Sequence, residues 1–460
     1  MDYRGMKSGF WILLSLLFAV QAGADEEKTK PNILMICLDD LNDWVGFLGG
    51  HPDVKTPHMD RLAKQGRVFS NAHCVVPVCS CSRVSIMSGL HATTHGSYEF
   101  GPSYQSIPAL KNATCLQQYF KDHGYRTYAG GKVLHHGFKG PLKSAIDVNL
   151  GRSGGPRRKE GVNWPGGAWD WGPFPETDEE MFDYTLAKKA GDVLREQHKK
   201  PFFMSVGIFR PHVPLLVPQK WFDLYDREKI QLPKAPPFDL NDLPPNFKGK
   251  MNVEPVHEEV VKKKKWRGMV HAYLASISFA DHCVGTILEG LEKGPNRDNT
   301  IVVLWSDHGF HLGEKHKWAK RTLWEESTRV PFLISGPGIT PGTPCLEAVS
   351  LLDIYPTLIE YCGLPKKEKL DGISLIPQLK NPKTSRTQPV IISSFHGNHS
   401  VRTRHWRLIQ YADGARELYD HRRDPVEYTN LATRGMYDQT WKSLEKWLPR
   451  NAAPEVLKKK

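Results

Sequence analysis

Two apolar runs, far apart in the chain, end in the same way. Residues 31–38 read PNILMICL and stop at Asp39-Asp40; residues 300–305 read TIVVLW and stop at Ser306-Asp307-His308-Gly309. An unbroken apolar run of this length fits a strand buried on both faces, which belongs in a sheet with helices above and below. A third such run, Pro201 to Gly207, and helical patterns over Met181–Gln197 and Met269–Leu291 lie between them. Strands alternating with helices predict an α/β fold with a mostly parallel sheet flanked by helices. In such sheets functional groups gather at the carboxyl ends of the strands, where both acidic clusters stand.

After Leu379 the grammar changes. Asn381-Pro382-Lys383 and Ser385-Arg386-Thr387 read as a linker. Short alternating stretches at Pro389–Ser394, Trp406–Tyr411 and Glu417–Tyr419 then predict a small antiparallel sheet, with a terminal helix over Met436–Trp447. The expected organisation is a main domain over 25–384 and a small C-terminal α+β subdomain over 385–460. A chain of 460 residues exceeds one ordinary core, and 40% apolar residues with 13 Trp suit a globular protein.

Residues 1–24 carry Arg4 and Lys7, the apolar stretch Phe10–Val20 and Ala22-Gly23-Ala24, the pattern of a secretory signal peptide. The apolar stretch falls short of the roughly 20 residues that span a bilayer, so no stable membrane insertion is expected. The destination is periplasmic, secreted or, in a eukaryote, lysosomal. Eight cysteines in an exported chain allow disulfides, but no pairing follows from their spacing. The net charge of +12 includes Lys262–Lys265 and Lys458–Lys460, read as solvated surface. It suits a polyanionic substrate. The lack of a groove-reading motif argues against nucleic acid.

Adjacent carboxylates at the end of a buried strand repel, and a hard divalent cation between them relieves the repulsion. Asp307-His308 offers another carboxylate and a neutral ligand, so the two pairs together suit one Ca²⁺ or Mg²⁺. A third element, Val78-Cys79-Ser80-Cys81-Ser82-Arg83, enters a helical pattern ending at Gly89. It sets a cysteine, hydroxyls and a fixed cation at a helix N-terminus, a place suited to anions and nucleophiles.

Cys79-x-x-Ser82-Arg83, a hydrophobic pair, and then a hydroxyl residue and Gly89 resemble the signature of type I, formylglycine-dependent sulfatases. The flanking order matches: Asn32-Ile33-Leu34 to Asp39-Asp40, Thr56-Pro57-His58-Met59-Asp60-Arg61, the Cys79 segment, Gly131-Lys132, and Ser306-Asp307-His308-Gly309. Leu41-Asn42-Asp43-Trp44, Lys132-Val133-Leu134-His135-His136-Gly137, Phe209-Arg210-Pro211-His212 and Trp318-Ala319-Lys320 most resemble the iduronate-2-sulfatase branch. The C-terminal Glu417-Leu418-Tyr419-Asp420 with Asp424-Pro425 resembles the family's small domain. The resemblance implies an alkaline-phosphatase-like sheet and a sulfuric ester hydrolase.

It further implies that a formylglycine-generating enzyme converts Cys79 to formylglycine, whose aldehyde hydrates to a geminal diol. Asp39, Asp40, Asp307 and His308 would then ligate Ca²⁺, or else Mg²⁺, together with the modified residue. Arg83 and Lys132 would hold the diol and the sulfate. His212 and Lys320 are the matched candidates for the acid that protonates the leaving alcohol. His135, with His136 as its alternative, would be the base that expels sulfate from the second diol hydroxyl.

The signature usually has Pro where this chain has Cys81, and often Thr where it has Ser88. Cys81 bears on conversion of Cys79, because the converting enzyme reads the unfolded segment. Two other functions therefore stay open: a phosphate or phosphonate ester hydrolase of the alkaline-phosphatase superfamily, and an inactive binder of sulfated glycans. The branch resemblance points to sulfated carbohydrate, specifically a 2-O-sulfated uronic acid. Trp164, Trp169, Trp171 and Phe174 are candidates either for sugar-facing rings or for core packing, and Arg157, Arg158 and Lys159 either contact neighbouring anions or belong to a solvated loop.

Overall fold

The computed structural model describes residues 30–164, 167–244 and 255–456; the leader and Lys458–Lys460 lie outside them. The first strand, β1 (Asn32–Asp39), runs through the middle of a seven-stranded sheet. The others are β2 (Gly66–Val68), β3 (Arg126–Gly131), β4 (Val148–Gly151), β5 (Phe202–Pro211), β6 (Thr300–Ser306) and β7 (Phe332–Ser335), ordered β2-β7-β6-β1-β5-β3-β4. All neighbours are parallel except β7, which runs against both β6 and β2. This is the expected mixed, mostly parallel α/β architecture.

The unbroken apolar run of β1 has the cause inferred from sequence. Ile33, Met35 and Cys37 enter one core and Leu34, Ile36 and Leu38 the other. Successive residues of a strand point to opposite faces, so only a run apolar at every position can bury both. Each large apolar side chain so buried stabilises by about 1.5–3 kcal/mol. Helices α1 (Pro57–Lys64), α3 (Phe182–Leu194) and α4 (Trp266–Glu292) cover the Leu34 face; α2 (Cys79–Ser88) and α5 (Ile354–Tyr361) cover the other.

The C-terminal antiparallel sheet has four strands in chain order: β8 (Val390–Ser393), β9 (His399–Arg402), β10 (Trp406–Gln410) and β11 (Arg416–Asp420). Its alternation sorts side chains between two cores. Ile392, Ile409 and Tyr419 join the main core, while Val401, Leu408 and Leu418 pack under Trp441 and Leu444 of α6 (Asp438–Glu445). The strand β9 escaped the sequence reading because HSVR is short and polar, yet all four residues are buried.

The structure chooses between the readings left open for the loops, core packing for the tryptophans and neither of the two for Arg158. Trp164 and Trp171 are 8% and 6% exposed and belong to the core on the Leu34 face, so they present no open face to a sugar. Arg158 is bound to Asp170 at 3.2 Å and to the carbonyls of Trp171 and Pro173, which makes it a brace of its own loop. All eight cysteines are buried and free. No helix among the described residues is long and apolar enough to cross a membrane.

Candidate active site

Register brings the strand ends level. Leu38 pairs with Ser306, Asp39 with Pro211, and Gly131 with Gly207, so Asp39-Asp40, Asp307-His308, His212 and Lys132 all emerge at one edge of the sheet. Gly207 is required there. A Cβ on it would stand 2.3 Å from the carbonyl carbon of Lys132, whose amide donates to the Gly207 carbonyl at 3.0 Å. Helix α2 begins at this edge, and all ten of its residues are buried.

Arg83, fully buried on α2, ties the parts together. Its Nε donates to Asp307 Oδ2 at 2.8 Å, and its Nη2 to Asp39 Oδ1 and the Leu38 carbonyl, each at 3.2 Å. Its Nη1 donates to the Lys132 carbonyl. Lys132 Nζ pairs with Asp39 Oδ2, and Lys320 Nζ with Asp40 Oδ1. The cluster therefore holds three carboxylates and three permanent cations.

Cys79 Sγ sits at the meeting point. Lys320 Nζ lies 3.2 Å from it, His308 Nε2 3.1 Å and Asp40 Oδ1 3.7 Å. His212 Nε2 stands 3.7 Å from Asp40 Oδ2 and 4.0 Å from Asp39 Oδ2. His135 is on the rim beside His136, with ring centroids 4.9 Å apart, and its buried Nδ1 has no hydrogen-bond partner. The sequence-selected residues thus converge, with the two rim histidines outermost.

Burial drives each carboxyl upward, and the cations decide the outcome. For Asp39 the Lys132 and Arg83 charges outweigh burial and hold it well below the usual range; Asp40 is lowered by Lys320. For Asp307 burial wins over Arg83, and its carboxyl is raised. Burial also raises the Cys79 thiol well above its ordinary value despite Lys132 and Lys320. A neutral buried thiol is a poor nucleophile. His212, desolvated, falls to about 3 and is neutral near pH 7.

The donor set fits a hard divalent ion. One ligand atom from each of Asp39, Asp40, Cys79 and His308 lies within 4.8 Å of the others. Asp40 Oδ2 is buried with no hydrogen-bond partner, an acceptor left for a cation. Asp307 adjoins this set, 3.7 Å from His308 Nε2, with Oδ1 accepting the Asp40 amide at 3.2 Å and Oδ2 held by Arg83.

Sequence reasoning missed the supports. Asp40 has φ 63°, a left-handed conformation that aims its carboxylate back at the cluster. Tyr273, in the middle of α4, donates to the Asp40 carbonyl at 2.6 Å and accepts the Asn42 amide at 3.0 Å. Ser306 Oγ joins Leu41 to His308, and Ser82 Oγ donates to the Asp307 carbonyl at 2.6 Å. Of the supporting side chains, Ser306 and Ser82 lay inside recognised segments and Tyr273 did not.

A family model described as Sulfatase matches residues 31–364, most of the chain. The chain belongs to the sulfatase family. A second model, N-sulphoglucosamine sulphohydrolase, C-terminal, matches residues 313–453. A sulfatase of Formosa agariphila is 36% identical, covering 97% of this chain and 93% of its own. Among solved structures, a 2-O GAG sulfatase superposes with TM-score 0.72 at 23% identity, covering 91% of both chains. The phosphonate monoester hydrolase of Agrobacterium radiobacter reaches 0.74 at 21%, covering 91% of this chain and 95% of its own. The last two establish the alkaline-phosphatase-like fold alone; the sulfatase relatives make the protein a sulfuric ester hydrolase.

Proposed function

We propose that this sulfatase is an exported glycan sulfatase that removes sulfate from a sulfated uronic acid, in the manner of iduronate-2-sulfatase, using a formylglycine hydrate made from Cys79. The observation that carries this is the position of the Cys79 side chain, at a helix N-terminus where Lys320, His308 and Asp40 meet. The cysteine sulfur stands in for the oxygens of the modified residue. As a buried thiol it has no productive chemistry here; as a diol it faces both a cation site and proton carriers.

A Ca²⁺ held by Asp39, Asp40, Asp307, His308 and the modified residue would supply positive charge that acidifies a diol hydroxyl and neutralises the ester's sulfate oxygens. The chain's own groups do the rest. Lys132 and Arg83 are fixed by Asp39 and Asp307, so their charge is set in place before the substrate arrives. One diol hydroxyl, entering as its conjugate base, attacks sulfur as the bond from sulfur to the sugar oxygen breaks, and Lys320, the charged one of the two matched candidates, supplies the proton to that departing oxygen. His135 then takes the proton of the second hydroxyl, whose collapse to the aldehyde expels sulfate.

The test is a mass spectrum across Cys79 in natively produced protein, with sulfate release from a panel of sulfated sugars. Formylglycine at position 79 and turnover of a 2-O-sulfated uronic acid are expected. An intact cysteine in all molecules would leave a glycan-binding protein. The resemblance in fold to a phosphonate hydrolase calls for one more comparison, sulfate against phosphate and phosphonate on the same aryl leaving group, with sulfate expected to be fastest.

A further inference from the structure

One large aromatic ring stands open beside the rim of the site. Phe100 is 44% exposed, and its ring centroid lies 5.9 Å from that of His135. On the same ring sits the Arg321 guanidinium, 4.8 Å from the centroid. Arg321 follows Lys320, whose ammonium touches Cys79, so the arginine is placed by the same short turn that delivers the lysine to the reaction centre.

That turn is held in an unusual shape. Ala319 and Arg321 both have left-handed backbones, φ 64° and 80°, a conformation that costs of order 1 kcal/mol or more at a residue with a side chain. The Arg321 amide donates to the Pro77 carbonyl at 3.2 Å, and Ser394 Oγ donates to the Arg321 carbonyl at 2.7 Å. Among the described residues no carboxylate lies within ion-pair distance of the guanidinium; the acid that feels its charge is Glu99, whose carboxyl burial and Glu455 nonetheless raise. Arg83, the arginine inside the reaction centre, is by contrast bound by Asp39 and Asp307.

Phe100 is held as well. Cys81 Sγ donates to the carbonyl of Glu99, the residue before it, at 2.6 Å, and Ser97 Oγ donates to the same sulfur at 3.4 Å. The residue that departs from the family signature therefore anchors the rim loop to α2. Farther along, the Val456 amide donates to the Gly96 carbonyl at 2.8 Å, fixing the loop's other end.

We propose that Phe100 and Arg321 form the substrate-reading wall of this site: Phe100 takes the apolar face of the sulfated sugar, and Arg321 pairs with that sugar's carboxylate. An open aromatic face suits the C–H side of a pyranose. A planar guanidinium suits a carboxylate, to which it donates two parallel hydrogen bonds, better than it suits a neutral hydroxyl. Cys81 is a positioning residue, acting through the loop that carries Phe100. The proposal rests on the sulfated-uronate function above.

The experiment uses full-length, formylglycine-bearing enzyme and three substrates: a sulfated uronic acid, the matching neutral sugar bearing the same sulfate, and an aryl sulfate. Arg321→Gln is expected to lower kcat/KM on the uronate by about ten- to a hundredfold, mostly through KM. Its loss on the neutral sugar and the aryl sulfate is smaller by tenfold or more, and Arg321→Lys recovers part of the uronate rate. Phe100→Leu lowers turnover of both sugars. Equal losses of Arg321→Gln on all three substrates would make Arg321 a support for Lys320 and overturn the proposal, as would an unchanged rate on the uronate. Wild-type enzyme that cleaves the aryl sulfate but no uronate sulfate identifies a failure of the underlying sugar assignment, which overturns the wall with it.

Discussion

Among the described residues, two clusters of charge each bring three or four metal-competent side chains within 4.8 Å. In the first, Asp39, Asp40 and Asp307 face Arg83, Lys132 and Lys320 at the sheet edge. In the second, Glu325, His421 and Glu427 face Arg402 and Arg407 under the C-terminal sheet. They differ in how completely their oxygens are used. Glu427 Oε1 accepts from Arg407 Nε at 2.5 Å and stands 2.9 Å from His421 Nε2, while its Oε2 accepts the Glu325 amide at 3.0 Å. Glu325 accepts from Arg402 and Arg407. Arg407 spends its remaining donors on the Leu323 carbonyl, Ser400 and Thr328. In the first cluster Asp40 Oδ2 accepts nothing. Closeness of ligand atoms therefore does not distinguish a site from a strut, whereas an unfilled acceptor does.

The largest expected effect separates chemistry from support. Cys79→Ala should abolish sulfate release, a loss of more than about a thousandfold because the proposed precursor of the nucleophile is gone. Its thermal unfolding midpoint should stay close to wild type, since a small buried thiol contributes little packing. A large loss of stability would show that the first cluster is a strut as well. Arg407→Met tests the converse. Removing one partner of a buried pair leaves an uncompensated charge, at about 3–5 kcal/mol. The unfolding midpoint should fall steeply while kcat per folded molecule holds. A parallel fall in kcat would join the two clusters into one.

The sequence made the two clusters unequally legible. Asp39-Asp40 and Asp307-His308 stand directly after apolar runs, and Cys79 to Arg83 lie within one turn of a helix, so chain-local grammar placed them. The second cluster has no such grammar: Glu325 follows a tryptophan, Arg402 and Arg407 sit on short strands, and Glu427 has a left-handed backbone in a loop. Only the pairing of β9 with β10 sets Arg402 opposite Arg407. Tyr273 was invisible for the same reason, being one buried residue among many on α4. The loop tryptophans stayed ambiguous in the sequence, because Gly-rich spacing suits exposure as well as packing; in the fold Lys263 and Lys265 cover the rings of Trp164 and Trp171.

Acid should undo the strut in a defined window. Burial alone would raise the Glu427 carboxyl, but Arg407 and His421 outweigh it and hold it at about 2, against 4.5 when free. A carboxylate depressed in the fold stabilises fully above its unfolded value and loses that contribution as pH falls through its folded one. Stability carried by Glu427 should therefore be complete above about pH 4.5 and vanish toward pH 2, on the order of 3 kcal/mol. Comparing wild type with Glu427→Gln across that range isolates it from other carboxyls. A constant difference would mean that the Arg407 pair is not what lowers this group.

Calcium sharpens the comparison most finely, because it should see one cluster and ignore the other. A ligand that binds only the native state stabilises it by about 2.7 kcal/mol at a hundredfold excess over its Kd. Calcium added to chelator-treated enzyme should thus raise the unfolding midpoint by a few degrees. Asp40→Asn keeps the shape of the side chain but removes the charge behind the unfilled Oδ2, and should abolish the rise. Glu427→Gln lowers the starting midpoint, yet should keep the full increment, since its oxygens are already taken by Arg407, His421 and the Glu325 amide. If Glu427→Gln instead removed the increment, the ion would be binding under the C-terminal sheet, and the fully partnered cluster would have to open to receive it. Retention in both variants would place the ion in neither cluster and leave Asp40 Oδ2 to the lysines and His212 alone.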